Sequence, residues 1–171
     1  MDVVDRIKVA MLEDSISDDE SLYRRVPDDV RFIKELPGET FRISSQAFYD
    51  RSQRISVDRA KLRENNPQQT LASYPGPAGV VSIKTGDVHA IHDLMHHDQT
   101  LGLTQKFEVD VEPAPILNDP NEPDNPAHAE ICTKPKCPKK VFQILIERLA
   151  LLVNSKEHKW LIEPPSIKNK L

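Results

Sequence analysis

The sequence lacks the features that define several broad classes of protein. It has only two cysteines, Cys132 and Cys137, which are too few for the disulfide framework of a secreted domain. Its longest apolar stretch, residues 141–153, is interrupted by charged side chains and is shorter than the roughly 20 residues that span a bilayer. Residues 1–13 mix charged with apolar side chains, which is not typical of a secretory leader. We therefore expect a cytoplasmic protein that does not bind membranes.

The chain also lacks an excess of positive charge. Its 23 Lys and Arg side chains are outnumbered by 27 Asp and Glu, and the formal net charge is -4. A protein that binds DNA or RNA over a wide surface needs a basic field, and this composition disfavours one. A local basic patch that holds a nucleotide or a short stretch of RNA is compatible with these numbers.

The length of 171 residues suits one domain with a single buried core. We predict a helical arm at residues 1–20, a single α+β domain at residues 21–153 and a tail at residues 154–171. The arm has apolar residues at helical spacing, namely Val3, Val4, Ile7 and Met11. The lysine-rich tail is expected to be mobile unless Trp160 docks on the domain.

Alternation of apolar and polar residues predicts the strands of the domain. The pattern occurs in the segments 22–26, 30–33, 41–44, 55–58, 79–83, 107–112 and 127–131. The Pro37-Gly38 turn joins the second and third of these segments as a hairpin. Ser17 and Glu20 match a helical capping box, so the first segment has a helical alternative, and we favour the strand.

A helical stripe near the end of the domain supplies cover for the sheet. Val141, Leu145, Leu149 and Leu152 lie on one face, and Pro138 suits the first turn of this helix. We therefore predict an α+β fold in which a mostly antiparallel, curved sheet of five or six strands packs on a C-terminal helix.

Residues 112–126 form a proline-rich segment between the last two predicted strands. Their five prolines exclude regular structure and predict a stiff surface loop. Together with the N-terminal helix, this loop is the predicted contact surface for a protein partner.

A histidine-rich helix is predicted after the strand at residues 79–83. Thr85 is a candidate N-cap, and Val88, Ile91 and Met95 form an apolar face. The helix carries histidines at spacings by which one helix presents two ligands to zinc, namely His89, His92, His96 and His97. No glutamate adjoins the first histidine of such a pair, so we expect a surface helix, no metal and no cofactor.

Three predicted strands are apolar on one face and carry reactive or charged side chains on the other. They are residues 41–45, 55–58 and 127–131, and successive side chains of a strand point to opposite faces. The polar side chains on these faces are Arg42, Ser44, Ser56, Asp58, His128 and Glu130. A solvated sheet face shows the same alternation without any function.

The chemistry of these side chains suggests a polar cleft that holds an anion. Arginine binds phosphate and carboxylate as a planar fork, so Arg42 is predicted to clamp the anion. His128 is predicted to act as general acid or base, oriented by Glu130 or Asp58. The predicted ligand contacts are Arg42, Ser44, Ser56 and Arg24.

Four short segments occur in a fixed order along the chain: LYRR at 22–25, SSQAF at 44–48, ISVD at 55–58 and NPAHA at 125–129. This order resembles a group of short bacterial proteins of uncharacterised function, which implies a bacterial, cytosolic protein and no particular activity. A looser similarity, an arginine-bearing strand followed by a serine-rich strand and a late glutamate, is to ADP-ribosyltransferase-like toxins. The site residues that this similarity implies are Arg24, Ser44, Tyr49 and Glu130.

The sequence contains no signature that fixes a reaction. We predict that the domain binds an anionic, nucleotide-like or RNA ligand in the polar cleft, with acid or base chemistry from His128. One alternative is a non-catalytic protein-interaction adaptor in a bacterial multi-protein system of the conflict or defence type. A second alternative is an ADP-ribosyltransferase-like enzyme.

Overall fold

Within the described residues, the regular structure consists of ten strands, five α-helices and two short 3-10 helices, Ser45–Phe48 and Ala60–Arg63. The computed structural model describes residues 2–13, 15–38 and 40–170, without the side chains of residues 11–13. Its strands are β1 (Ser21–Pro27), β2 (Ile33–Leu36), β3 (Thr40–Ile43), β4 (Ile55–Arg59), β5 (Ala78–Lys84), β6 (Met95–Asp98), β7 (Leu103–Lys106), β8 (Glu108–Pro113), β9 (His128–Lys134) and β10 (Trp160–Ile162). Its helices are α1 (Val3–Glu13), α2 (Pro67–Leu71), α3 (Thr85–His89), α4 (Lys139–Asn154) and α5 (Pro165–Lys168). The predicted N-terminal helix is confirmed as α1, although the side chain of Met11 lies outside the described residues.

Six of the strands form one antiparallel sheet in the order β10-β5-β1-β4-β9-β8. The remaining strands form two separate hairpins, β2 with β3 and β6 with β7. The prediction of an α+β fold with an antiparallel sheet packed on a C-terminal helix is confirmed.

The helix α4 covers one face of the sheet because its apolar stripe is continuous. Val141, Leu145 and Leu149 of this stripe are buried, and Pro138 occupies the N-cap position before the helix. The strand residues in the same core are Leu22, Val26, Val57, Val81, Ile83, Val111 and Ile131. Each fully buried leucine contributes about 2 kcal/mol through the apolar area it removes from water.

The strand β1 lies at the centre of the sheet and is covered on both faces. Its residues Leu22 and Val26 join the core under α4. Tyr23 points to the opposite face and packs with Val80 and with Leu71 of α2. The strand assignment of this segment is therefore confirmed over the helical alternative, since two-sided burial suits a central strand.

The prediction of a histidine-rich helix is wrong beyond its first turn. α3 ends at His89, and the residues from Met95 onward form β6. The helical pattern places Met95 with the buried Val88, but Met95 is 53% exposed and the neighbouring Leu94 is fully buried. Leu94 is buried where the chain enters the β6/β7 hairpin, and its carbonyl oxygen accepts a hydrogen bond from the N–H of Phe107 at 2.9 Å. Pairing of the two hairpin strands determined the conformation here against the helical periodicity.

The proline-rich loop has the irregular structure that was predicted, whereas the C-terminal segment forms a strand. Residues 114–127 contain no helix or strand, only an isolated bridge between Ile116 and Asn125, as the prolines predict. The predicted tail, in contrast, supplies β10, in which Trp160 pairs with Val81 at the edge of the sheet. None of the helices in the described residues is long and apolar enough to cross a membrane.

Docking of β10 requires a glycine on its partner strand. A methyl group at Gly79 would lie 2.6 Å from the Trp160 ring and 2.7 Å from the carbonyl oxygen of Ile162. We therefore expect Gly79→Ala to displace β10 and to lower the free energy of unfolding by about 1–3 kcal/mol, measured by urea denaturation. Trp160 is the only tryptophan of the chain, so its fluorescence emission should shift to the red.

Gly86→Ala is the matched control for this substitution. Its added methyl group meets the Asp18 carbonyl oxygen at 3.2 Å and is not among the contacts of β10. The emission of Trp160 should remain unchanged in this variant. An unshifted emission in Gly79→Ala as well would contradict the docking of β10.

Candidate functional site

The central strands β1 and β4 separate along part of their length. They pair over only two residues each, Leu22 with Arg59 and Tyr23 with Asp58. Beyond this point the side chain of Arg24 crosses the gap, and its Nη1 donates to the carbonyl oxygen of Ser56 at 2.7 Å. Its Nε and Nη2 donate to the carbonyl oxygen of Ala47 at 3.1 and 2.8 Å. The guanidinium thereby satisfies the carbonyl group of Ser56 on β4 and that of Ala47, which lies in the short 3-10 helix Ser45–Phe48.

Among the described residues, the guanidinium of Arg24 has no direct ion pair with a carboxylate. Within the described parts of the chain, no carboxylate lies within ion-pair distance of it, and its three hydrogen bonds all go to carbonyl oxygens. Burial lowers the pKa of Arg24, while the charge of Asp50 acts in the opposite direction. Since arginine keeps its proton in proteins, a half-buried cation lies here without a bound counter-ion.

Arg24 forms part of the wall of a cavity of about 520 Å³ beside the β2/β3 hairpin, which we call the hairpin cavity. The other polar and aromatic residues that line it are Arg31, Phe32, Lys34, Ser44, Gln46 and Tyr49. Arg31 pairs with Asp29 at 2.9 Å, and its guanidinium carbon lies 5.1 Å from the centre of the Phe32 ring. None of the described residues that line the hairpin cavity is acidic, and Arg24 and Lys34 give its surface a positive charge beside the Arg31–Asp29 pair.

Arg24 also lines a second, smaller cavity of about 200 Å³, which we call the histidine cavity. The polar residues that matter for its chemistry are Arg24, Ser56, Asp58, Tyr74, Asn125 and His128. The structure therefore brings together four of the residues that the sequence predicts, namely Arg24, Ser56, Asp58 and His128.

The ring of His128 is held from both sides. Its Nδ1 lies 2.7 Å from the carbonyl oxygen of Ala114, which only accepts hydrogen bonds, so we assign the proton of the neutral ring to Nδ1. Its Nε2 then accepts a hydrogen bond from the hydroxyl of Ser56 at 3.1 Å. The proline-rich loop thus orients His128, and the ring is placed to receive a proton from Ser56.

The carboxylate of Asp58 bonds to residues that hold the fold together and not to His128. Its carboxylate accepts hydrogen bonds from Arg63 at 2.9 Å, from Thr70 at 2.8 Å and from Asn125 at 2.8 Å. These bonds connect β4 to α2 and to the end of the proline-rich loop. No hydrogen bond in the described residues joins the carboxylate of Asp58 to the ring of His128.

Glu130 belongs to a network of ion pairs at the sheet surface. It pairs with Arg54, which also contacts Glu112 at 2.5 Å, and Lys134 lies 2.7 Å from Glu112. Hydrogen bonds from Lys134 and Arg54 hold the pKa of Glu112 below its ordinary value. Glu130 does not line the histidine cavity, and the orientation of His128 comes from Ala114 and Ser56 instead.

The residues predicted on β3 lie apart from those on β4 and β9. Arg42 is exposed, lies opposite Lys34 in the hairpin and lines neither of the two cavities. Ser44 lines the hairpin cavity, and its hydroxyl oxygen accepts a hydrogen bond from the N–H of Gln46 at 3.2 Å. The single cleft expected for all six polar residues is therefore divided. The hairpin forms its own sheet, so alternation on β3 has no set relation to the face of β4.

The residues implied by the similarity to ADP-ribosyltransferase-like toxins are also divided. Arg24, Ser44 and Tyr49 all line the hairpin cavity. Glu130 is not among the residues that line it and lies instead in the ion-pair network with Arg54.

Sequence reasoning missed the residues whose place depends on distant contacts. Lys34 and Phe32 come from the predicted hairpin, and its turn chemistry was the one signal that pointed to their proximity. Tyr74 lines the histidine cavity, and its position depends on the segment 71–76, which Arg25 holds through hydrogen bonds to three carbonyl groups. No local pattern in the sequence indicates this contact.

Two histidines outside the histidine cavity take part in pairwise contacts. His89 lies 2.6 Å from Asp18 and 3.3 Å from Asp110, and His97 lies 2.9 Å from Thr104. Across the described ranges, no group of three or more His, Cys, Asp or Glu side chains is arranged to hold a metal ion.

Comparisons with known proteins do not assign this site. No protein-family model matches the sequence, and no match was found among curated proteins or among solved structures. The functional argument therefore depends on the geometry and charges of the two cavities.

The structural partners of Asp58 lead to a prediction about stability. Asp58→Asn should lower the free energy of unfolding by about 2 kcal/mol, because the half-buried guanidinium of Arg63 loses its charged partner. Urea denaturation measures this change. Glu112→Gln, in the more exposed ion-pair network, is the control and should cost less than about 1 kcal/mol. An equally small loss in Asp58→Asn would contradict the structural role and favour the predicted role beside His128.

Proposed function

We propose that this protein is a small cytosolic bacterial domain that binds an anionic, nucleotide-like ligand in the hairpin cavity. The observation that carries the proposal is the half-buried guanidinium of Arg24, which contacts neutral carbonyl oxygens and, in the described residues, no carboxylate. A desolvated charge is stabilised by an opposite charge, and a ligand phosphate supplies one. Three of the five guanidinium N–H groups make the bonds described, which leaves two for the ligand.

The size and charge of the hairpin cavity fit a nucleotide. Its volume of about 520 Å³ falls within the range of small-molecule sites. Arg31 and Lys34 add positive charge on the side of the cavity formed by the hairpin, where a second phosphate oxygen or phosphate group is stabilised.

Aromatic and amide side chains in the same cavity suit the uncharged part of such a ligand. Phe32 and Tyr49 present rings on which a base can stack, and Tyr49 is 52% exposed. Gln46 offers both a donor and an acceptor for a base or sugar. His128 lines the histidine cavity and not the hairpin cavity, so this proposal gives it no part in ligand binding.

A second candidate function is a protein-interaction adaptor, and the exposure of α1 favours it. Val3 and Ile7 of this helix are 70% and 44% exposed, so its apolar side is open to a partner. The proline-rich loop offers a second, stiff surface. Deleting residues 2–13 should abolish partner binding in an adaptor and leave the affinity for nucleotides unchanged.

Isothermal titration calorimetry with AMP, ADP and adenosine tests the proposed ligand class. AMP should bind at least about tenfold more tightly than adenosine, because a charged hydrogen bond is worth about 1.5–3 kcal/mol. Arg24→Lys keeps the charge but loses the planar fork, so it should weaken AMP binding about tenfold or more. Lys34→Gln should weaken it about threefold or more without loss of stability, since Lys34 is exposed.

Arg42→Gln is the matched control, since it removes the same charge from an exposed position outside both cavities. AMP affinity should not change in this variant. If Arg42→Gln were the only variant that lost AMP binding, Arg42 and not Arg24 would be the residue that clamps the anion. Equal affinities for AMP and adenosine would contradict the proposal, and tighter binding of a single-stranded oligonucleotide than of ADP would favour RNA as the ligand.

A further inference from the structure

Ser56 and His128 form a pair in the histidine cavity that the proposed binding role does not use. The two side chains come from neighbouring strands, where Asp58 lies opposite His128 and Glu130 lies opposite Ser56. Ser56 and His128 are therefore diagonal neighbours on one face, which is the separation that allows the hydrogen bond of 3.1 Å. Both residues are half-buried and line the cavity, so a small molecule there touches both.

The protonation of His128 suits activation of a serine. The Nδ1–H of His128 donates a hydrogen bond to the Ala114 carbonyl oxygen, so the lone pair on Nε2 points to the hydroxyl of Ser56. This is the arrangement by which a histidine removes the proton of a nucleophilic serine, with a carbonyl in the orienting position. A carbonyl stabilises the imidazolium less than a carboxylate does, so we expect slow turnover.

We propose that Ser56 is the nucleophile, and His128 the base, of an esterase that cleaves small esters carrying a negative charge. The cavity of about 200 Å³ admits a short acyl group such as acetyl. The choice of a charged substrate rests on the proposed anion-binding role of Arg24, whereas the chemical step does not.

The reaction proceeds in two balanced halves. Ser56 Oγ bonds to the ester carbonyl carbon while its proton moves to Nε2 of His128, and the leaving oxygen takes that proton as its bond to the carbonyl carbon breaks. Water then bonds to the acyl carbon, and its proton passes through Nε2 of His128. The proton returns to Ser56 Oγ as the acid leaves, and the starting state is restored.

Arg24 is the group placed to stabilise negative charge near this serine. Its Nη1 bonds to the carbonyl oxygen of Ser56 itself at 2.7 Å, and two of its N–H groups are not used by the hydrogen bonds described. A cation fixed next to the nucleophile stabilises the oxyanion of the intermediate or a carboxylate on the leaving group.

Covalent labelling with phenylmethanesulfonyl fluoride tests the nucleophile directly. The hydroxyl oxygen of an activated serine bonds to the sulfonyl sulfur, fluoride leaves, and the proton goes to the base. Trypsin cleaves after Arg54 and Arg59, and the resulting peptide of residues 55–59 contains Ser56 as its single serine. Mass spectrometry should find the adduct on this peptide in the full-length protein and lose it in His128→Gln.

Hydrolysis of two matched esters tests the reaction and its charge preference. 3-Acetoxybenzoate should be cleaved with a kcat/KM at least about tenfold above that of phenyl acetate, because a carboxylate on the leaving group meets Arg24. Ser56→Ala and His128→Gln should each lower kcat/KM about 100-fold or more. Ser82→Ala, at a serine of the same sheet that lines neither cavity, is the control and should keep the activity.

The outcomes separate this inference from the proposed nucleotide binding. An unlabelled peptide 55–59, or hydrolysis that survives in Ser56→Ala, overturns the esterase proposal even if AMP binds. Labelling and hydrolysis that depend on Ser56 support it even if AMP does not bind. Thermal melting verifies that each variant is folded, and if His128→Gln is not, wild-type labelling and the Ser56→Ala rate decide.

Discussion

The guanidinium of Arg24 is the interaction on which the centre of the sheet depends. β1 pairs with β5 along its whole length but leaves β4 after Tyr23, so a side chain instead of backbone must connect the two strands. Arginine suits this position because its planar fork reaches the carbonyl groups of both Ser56 and Ala47. Arg24 also belongs to the wall of both cavities. One residue therefore connects the separated strands and, among the described residues, carries a charge without a direct ion pair.

Two polar residues of β4 show how neighbouring positions acquire different roles. Asp58 is buried and has three donors around its carboxylate, so its capacity for hydrogen bonds is used within the fold. Ser56 is half-buried, and its hydroxyl has the ring of His128 as its partner. A carboxylate hydrogen-bonded to the ring of His128 would make this histidine a stronger base. In the structure the carboxylate of Asp58 instead anchors the proline-rich loop, and Ser56 and His128 form a weaker acid–base pair.

Periodicity in the sequence predicted most of the fold because it reports burial within a single element. β4, β8 and α4 each have one apolar side, and each forms where the pattern places it. The pattern was wrong at Met95. Val88 and Ile91 are buried in the structure, as a longer helix would also bury them, so these two positions did not distinguish the helix from the actual conformation. Pairing across the β6/β7 hairpin joins Leu94 to Phe107, and Leu94 is buried in the core instead of Met95. Local alternation contains no information about such contacts.

The sequence by itself determined which side chains share a face of one strand, because successive residues of a strand point to opposite sides. It thus placed Ser56 with Asp58, and His128 with Glu130. Only the tertiary structure decided that β3 lies outside the main sheet, so that Arg24 and not Arg42 lies between the cavities. It also decided which polar groups are used for structure. Hydrogen-bond partners compete for each group, and that competition is resolved only when distant segments are packed together.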